Sequence, residues 1–123
     1  MKLFLILGAA NAAVAVMLGA FGAHGLEGKL SERMLEVYKT GVQYHMYHAI
    51  GLLAVGLLTG KITGSGQLHW AGWLMFIGII LFSGSLYALS TTGISKLGII
   101  TPFGGVAFIA GWVLLIVAAA KGL

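Results

Sequence analysis

The stretch that decides the fold is Tyr38-Lys-Thr-Gly-Val-Gln-Tyr-His-Met-Tyr-His48. It places Gln43, His45 and His48 at the start of an otherwise apolar segment that runs on to Thr59. Polar side chains are costly inside a membrane, and those found there usually face a helix bundle, a cavity or one another. The stretch therefore predicts a membrane helix that turns its polar residues toward other parts of the same protein.

The composition is that of a membrane protein. Of the 123 residues, 59% are hydrophobic and 8% are charged, whereas an ordinary soluble domain is about 25% charged. Glycine occurs 20 times, more than twice its average share of about 7%. The chain has no cysteine, which excludes disulfides, thiol catalysis and cysteine metal sites. No basic cluster is present, so nucleic acid is not an expected partner; membrane lipids are, and the expected location is the cell (inner or plasma) membrane.

Four charge-poor segments predict an all-α membrane protein with four transmembrane helices, built as a single domain of residues 1–123. About 20 apolar residues cross a bilayer, and the predicted spans are Leu3–Phe21, Thr40–Thr59, Trp70–Ser90 and Pro102–Ala120. An amphipathic interfacial segment, begun by the N-cap Ser31, is expected to lead into the second span. Three basic residues on the side of the termini against four on the other do not decide the orientation.

Small residues at helical spacing predict where the spans touch. Gly8, Gly19 and Gly22 recur on one face of the first span, and small faces allow membrane helices to approach closely. Similar small faces occur in the third span, where Gly84 is followed four residues later by Ala88, and in the fourth span. The predicted packing glycines are Gly8, Gly19, Gly22, Gly84, Gly104 and Gly111.

Several local features predict helix ends and side-chain bonds. The glycines of Gly19-Ala-Phe-Gly-Ala-His-Gly25 indicate the end of the first helix and a tight turn. Thr101 is expected to cap the fourth span, because Pro102 then lies in the first turn. Ser83 and Ser85 are expected to bond back to carbonyls of their own helix.

Three stretches together resemble a known family. They are Gly19-Ala-Phe-Gly-Ala-His-Gly25, Phe82-Ser-Gly-Ser-Leu-Tyr87, and Thr101-Pro-Phe-Gly-Gly105 followed by Gly111-Trp112. Along essentially its whole length the chain is similar to the domain-of-unknown-function 423 family, the YgdD/YwdK-like small inner-membrane proteins. The resemblance implies a four-span membrane protein and brings no established activity.

The candidate site is a polar intramembrane cluster that comprises Asn11, His24, Gln43, Tyr44, His45 and His48. His45 and His48 are three residues apart and share a helix face, and His24 ends the first span. Three imidazoles suit zinc, copper or haem. No glutamate follows the first histidine as the H-E-x-x-H pattern requires, so neither a metal nor a cofactor is predicted. Asn11 is expected to hydrogen-bond a neighbouring helix rather than a ligand.

The leading hypothesis is a non-enzymatic, packed helical bundle that self-associates or assembles with another membrane protein. The alternative is a conduit for a small solute, an ion or protons along the polar face of His45 and His48, since histidine titrates near physiological pH. Against it, the chain lacks the internal repeat typical of secondary transporters. Metal or haem binding is the less favoured third hypothesis. No enzyme is predicted, because the chain has no aspartate and no G-x-S-x-G elbow.

Overall fold

The computed structural model describes residues 2–123, and all regular structure within them is helical. The α-helices are α1 (Lys2–Phe21), α2 (Glu32–Thr59), α3 (Gly66–Gly78), α4 (Gly84–Thr92) and α5 (Thr101–Gly122). The shorter elements are a π-helical turn (Gly22–Leu26) that extends α1, a second π-helical turn (Ile79–Ser83) that joins α3 to α4, and a 3₁₀ turn (Ser95–Ile99) before α5.

Three helical stretches are long and apolar enough to cross a membrane, namely Lys2–Leu26, Gly66–Thr92 and Ser95–Gly122. Helix α2 is not one of them, although it has 28 residues. Its first two turns are charged and its middle carries polar side chains, which lowers its overall apolar character. Length and composition thus confirm an all-helical chain with three helices suited to span a membrane, and they leave the predicted second span, Thr40–Thr59, unconfirmed.

Helix α2 is the centre of the bundle. It packs along α1 and also against α3 and α4, while α3 and α5 form a second close pair. Ser31 caps it as predicted, since Ser31 Oγ accepts a hydrogen bond from the Met34 amide at 3.2 Å. The apolar core lies at the end of the bundle near the two termini and includes Phe4, Leu52 and Met75. The buried polar side chains of α2 lie nearer the middle of the bundle.

Two of the predicted packing glycines bring helix backbones into direct contact. A Cβ atom added at Gly8 would lie 2.8 Å from the Leu53 amide nitrogen and 2.9 Å from the Ala49 carbonyl oxygen. A Cβ atom added at Gly104 would lie 2.7 Å from Cα of Phe82. Real side chains do not approach so closely, so only glycine fits where α1 meets α2 and where α5 meets the second π-helical turn.

The other predicted packing glycines differ from one another. A Cβ atom at Gly19 would meet a side-chain carbon of α2 at 3.2 Å, and one at Gly111 would meet a backbone carbonyl of α3 at 3.2 Å. Gly22 lies against the ring of Tyr38. At Gly84 the nearest of the described atoms is the Ile79 carbonyl of its own chain segment, at 3.9 Å. Gly84 therefore leaves open space and does not hold two helices close.

The structure differs from two predictions about helix ends, one at the glycines that follow α1 and one at Thr101. The α-helix α1 ends at Phe21, as predicted, but no tight turn follows: a π-helical turn continues to Leu26, and the chain reverses near Gly28, where φ is 81°. Glycine permits a tight turn without requiring one. Thr101 is the first residue of α5 rather than its cap, and its hydroxyl lies 2.6 Å from that of Ser85, because that partner on α4 is within reach.

Candidate functional site

His45 joins three helices in the middle of the bundle. Its side chain is 4% exposed, with Nε2 2.9 Å from Oδ1 of Asn11 on α1 and Nδ1 2.9 Å from the hydroxyl of Tyr87 on α4. Asn11 donates its own amide to the Leu7 carbonyl at 2.8 Å, so Oδ1 is the acceptor. His45 therefore donates through Nε2, and in its neutral form it accepts a hydrogen bond from the Tyr87 hydroxyl at Nδ1.

His48 forms a separate network with α5. It is also 4% exposed, and its Nδ1 donates to the Tyr44 carbonyl of the preceding turn at 2.7 Å. The indole Nε1–H of Trp112 donates to Nε2 at 2.9 Å. The ring stacks on Phe108 with centroids 3.4 Å apart and planes 6° from parallel. Because the carbonyl can only accept and the indole can only donate, His48 is neutral with its proton on Nδ1, the opposite tautomer to the neutral form of His45.

The burial of both histidines was predicted and is confirmed, as is the bond from Asn11 to a neighbouring helix. The structure does not bring the third histidine to them: His24 is exposed on the first π-helical turn. All four ring nitrogens of His45 and His48 are used within the bundle. No group of three or more His, Asp or Glu residues that could hold a metal lies within residues 2–123, so the metal hypothesis gains no support.

Two further polar bonds tie α2 to its neighbours, about one and two turns before His45. The Tyr38 hydroxyl donates to the Leu18 carbonyl at 2.5 Å. Ser83 does not bond back within its own helix as predicted but donates to the Gly41 carbonyl of α2 at 2.7 Å. The wide π-helical turn ends at Ser83 and carries its side chain into the bundle, where it is fully buried. Ser85 follows the prediction and bonds the carbonyl three residues before it.

Sequence reasoning missed Tyr87 and Trp112 as partners of the histidines. A signal was available, because a tyrosine or tryptophan well inside a span needs an acceptor for its O–H or N–H group. Which histidine each one meets depends on how the helices are rotated, and that follows only from the packed structure.

The side chains of Gln43 and Tyr44 lie outside both hydrogen-bond networks, on the outer surface of α2, although the Tyr44 carbonyl accepts the bond from His48. Gln43 Nε2 donates to the Tyr47 hydroxyl at 2.6 Å. All three side chains are exposed, Tyr44 by 37% and Tyr47 by 49%. This exposed polar face is distinct from the buried histidines. The sequence places Gln43 on a different side of the helix from them, one turn from Tyr47, but the predicted cluster groups Gln43 and Tyr44 with the histidines.

The depth of Gln43 follows from the pairing of α1 with α2. Gly19 of α1 faces Val42 of α2, which puts Gln43 at about the level of Leu18. The apolar stretch Lys2–Leu26 has 25 residues, so its midpoint is about four residues, or about 6 Å, from that level. A hydrocarbon core extends about 15 Å to either side of its centre. Gln43 therefore lies at membrane depth if α2 crosses the bilayer beside α1.

We expect His48→Leu to destabilise the protein by about 1–3 kcal/mol, because the Trp112 N–H loses its acceptor inside the bundle. His48→Gln is expected to cost less, since an amide both donates and accepts. The free energy of unfolding in mixed detergent micelles measures both. Equal losses for the two variants would mean that ring stacking on Phe108, and not hydrogen bonding, is what His48 contributes.

The fold and this arrangement of side chains define a helical, multi-pass membrane protein. The chain matches, over residues 18–105, the family model described as Protein of unknown function (DUF423). It is 64% identical over 123 residues, the full length of both chains, to the UPF0382 membrane protein YwdK of Bacillus subtilis. Over 121 residues, 98% of each chain, it is 55% identical to the UPF0382 membrane protein SERP0230 of Staphylococcus epidermidis and 57% identical to the UPF0382 membrane protein SAB0533 of Staphylococcus aureus.

The chain belongs to the DUF423 family, which confirms the resemblance drawn from its glycine-rich stretches. No solved structure matches it.

Proposed function

We propose that the protein is a single-domain, four-span membrane protein that works without catalysis, by associating in the membrane with itself or with another membrane protein. In this proposal α2 crosses the membrane as well, in addition to the three helical stretches whose length and composition suit a span. Its 28 residues extend about 42 Å at 1.5 Å per residue. It lies beside α1 from the level of Gly56, which meets Leu5, to that of Tyr38, which meets Gly22.

The polar middle of α2 is compatible with such a span. His45 and His48 are buried and fully hydrogen-bonded. No buried side-chain nitrogen or oxygen in the described part of the chain lacks a partner. Polar residues that pair inside a bundle carry little of the penalty they would meet in lipid.

The observation that carries the association is the exposed pair Gln43 and Tyr47. On a lone copy this pair faces lipid at membrane depth, where an amide that loses water's hydrogen bonds costs about 1–3 kcal/mol by protein mutational estimates. Contact with a second membrane protein replaces those bonds. Membrane helices associate through such polar side chains together with small residues.

No specific observation favours the conduit. A proton path along α2 requires imidazoles that exchange partners with water, whereas His45 and His48 each have both nitrogens engaged by protein groups. Catalysis is likewise without support, because the hydroxyls of Ser83 and Ser85 bond to carbonyls and to Thr101 rather than to a histidine.

The test is the size of the protein in lipid nanodiscs together with its activity in vesicles. We expect a defined oligomer or a stable complex with another membrane protein, and no flux of protons or ions above that of empty vesicles. A lone copy under all conditions would contradict the association. Flux that depends on the protein would instead establish the conduit.

A further inference from the structure

The exposed face of α2 is a ridge between two grooves. One groove, of about 440 Å³, lies between α1 and α2 and is lined by Gly19, Val42 and Gln43 among others. The other, of about 540 Å³, lies between α2 and α5, and its walls are aromatic, including Tyr44, Phe82 and Trp112. A rounded ridge with a hollow on each side is a shape that can receive a copy of itself.

We propose that this face joins two copies of the chain across a two-fold axis that runs along the membrane normal and passes beside Gln43. The inference rests on the proposed function and names the partner that the proposed function leaves open. Two copies inserted in the same orientation are related by such an axis, so their α2 helices run parallel. Residues near the axis then meet their own counterparts.

The chemistry of Gln43 points to a second copy because an amide is complementary to itself. A glutamine side chain has two N–H donors and a carbonyl acceptor. One donor is used on the Tyr47 hydroxyl, and within residues 2–123 neither the other donor nor Oε1 has a partner. Two such amides facing each other across the axis satisfy both groups reciprocally. A lipid chain offers no hydrogen bond here, whereas a second copy brings the same amide to the same depth in the membrane.

The surrounding side chains provide the apolar part of the contact. Tyr47 projects from the ridge next to the aromatic groove, and Ile50 lies one turn further along the ridge, 56% exposed. In a two-fold contact the ridge of each copy enters a groove of the other. Each tyrosine then buries its ring while its hydroxyl keeps the bond to Gln43.

The absence of native cysteine permits a direct test by cross-linking. A thiol introduced by Ile50→Cys lies on the ridge and leaves Gln43 intact. In vesicles at low protein density, oxidation or a short bifunctional thiol reagent is expected to join Ile50→Cys to its own copy. The matched control is Met17→Cys, a membrane-facing position on the outer side of α1 that is 61% exposed and is expected to give no cross-linked product.

Removing the amide tests its role in the same experiment. Adding Gln43→Leu to Ile50→Cys is expected to weaken dimerisation about tenfold, as two interhelical hydrogen bonds at about 0.6 kcal/mol each imply. Adding Met17→Leu is expected to leave it unchanged. An oligomer that survives Gln43→Leu and does not cross-link through Ile50→Cys would overturn this face while leaving association intact. A monomer in every sample would overturn both this face and the proposed association. Cross-linking only to a different protein would show that the partner is not a second copy of the chain.

Discussion

Gly8→Leu is expected to lower the free energy of unfolding by more than about 3 kcal/mol, above the usual range for overpacking of about 1–3 kcal/mol. At this position even a Cβ atom would lie within 3 Å of backbone atoms of Leu53 and Ala49. Backbone cannot rotate aside as a flexible side chain can, so α1 and α2 must separate. Their separation also lengthens the bond between Asn11 and His45, which spans the same interface.

The matched pair for this prediction is Gly8→Ala with Gly84→Ala, because both glycines lie inside helices and only their surroundings differ. Alanine favours a helix over glycine by about 1 kcal/mol. Gly84→Ala, with open space at its Cβ position, is therefore expected to be neutral or slightly stabilising, whereas Gly8→Ala is expected to destabilise. Mixed-micelle unfolding measures both. Equal changes at the two sites would show that the close approach of α1 and α2 does not limit stability.

His45→Leu is the second change with a large expected effect, a loss of about 2–6 kcal/mol. It leaves two groups inside the bundle without a partner, Oδ1 of Asn11 and the hydroxyl of Tyr87, at about 1–3 kcal/mol each. The value is expected near the lower end, because membrane helices that come apart find other hydrogen-bond partners. Unfolding of the variant in mixed micelles, with its helix content followed by circular dichroism, gives the loss.

A double-mutant cycle with Asn11→Leu separates hydrogen bonding from packing. If the two side chains act as one bond, Asn11→Leu and His45→Leu together cost less than the sum of the single losses, by about 0.6–1.7 kcal/mol. Strictly additive losses would mean that His45 stabilises the fold by filling space. Tyr87→Phe is the corresponding change on α4. Its loss of unfolding free energy is expected to be smaller, because it removes only the hydroxyl that is hydrogen-bonded to His45.

Much of the bundle could be predicted because membrane helices follow simple periodicities. The apolar lengths and the absence of charge gave the helical, membrane-spanning class, and the cost of polar groups in lipid correctly turned His45 and His48 inward. Asn11 was correctly assigned to a bond between helices for the same reason. These conclusions need only the spacing of residues along one helix and the properties of the solvent around it.

What could not be predicted depends on the rotation and local winding of packed helices. His45 and His48 share a face, yet one meets α1 and α4 and the other meets α5, since neighbouring helices divide that face between them. The π-helical turn that ends at Ser83 shifts the phase of α4 relative to α3. A regular helical wheel therefore assigns the wrong partner to Ser83.

Gly84 shows the same limit for glycines. Its spacing to Ala88 is that of a packing motif, but a small face holds two helices together only when a neighbour covers it, and here the space beside it is open. Sequence alone did not distinguish it from Gly8 or Gly104, because the discriminating fact is the position of another backbone.

The most direct test of the central claim, that α2 crosses the membrane within the bundle, is the labelling of single cysteines before and after it in the chain. Lys29→Cys precedes α2 and Lys61→Cys follows it, in a chain with no other cysteine. In intact cells or sealed vesicles, a membrane-impermeant thiol reagent is expected to label one of them from outside and the other only after permeabilisation. Labelling of both from the same side would contradict the fourth span and, with it, the membrane depth of Gln43.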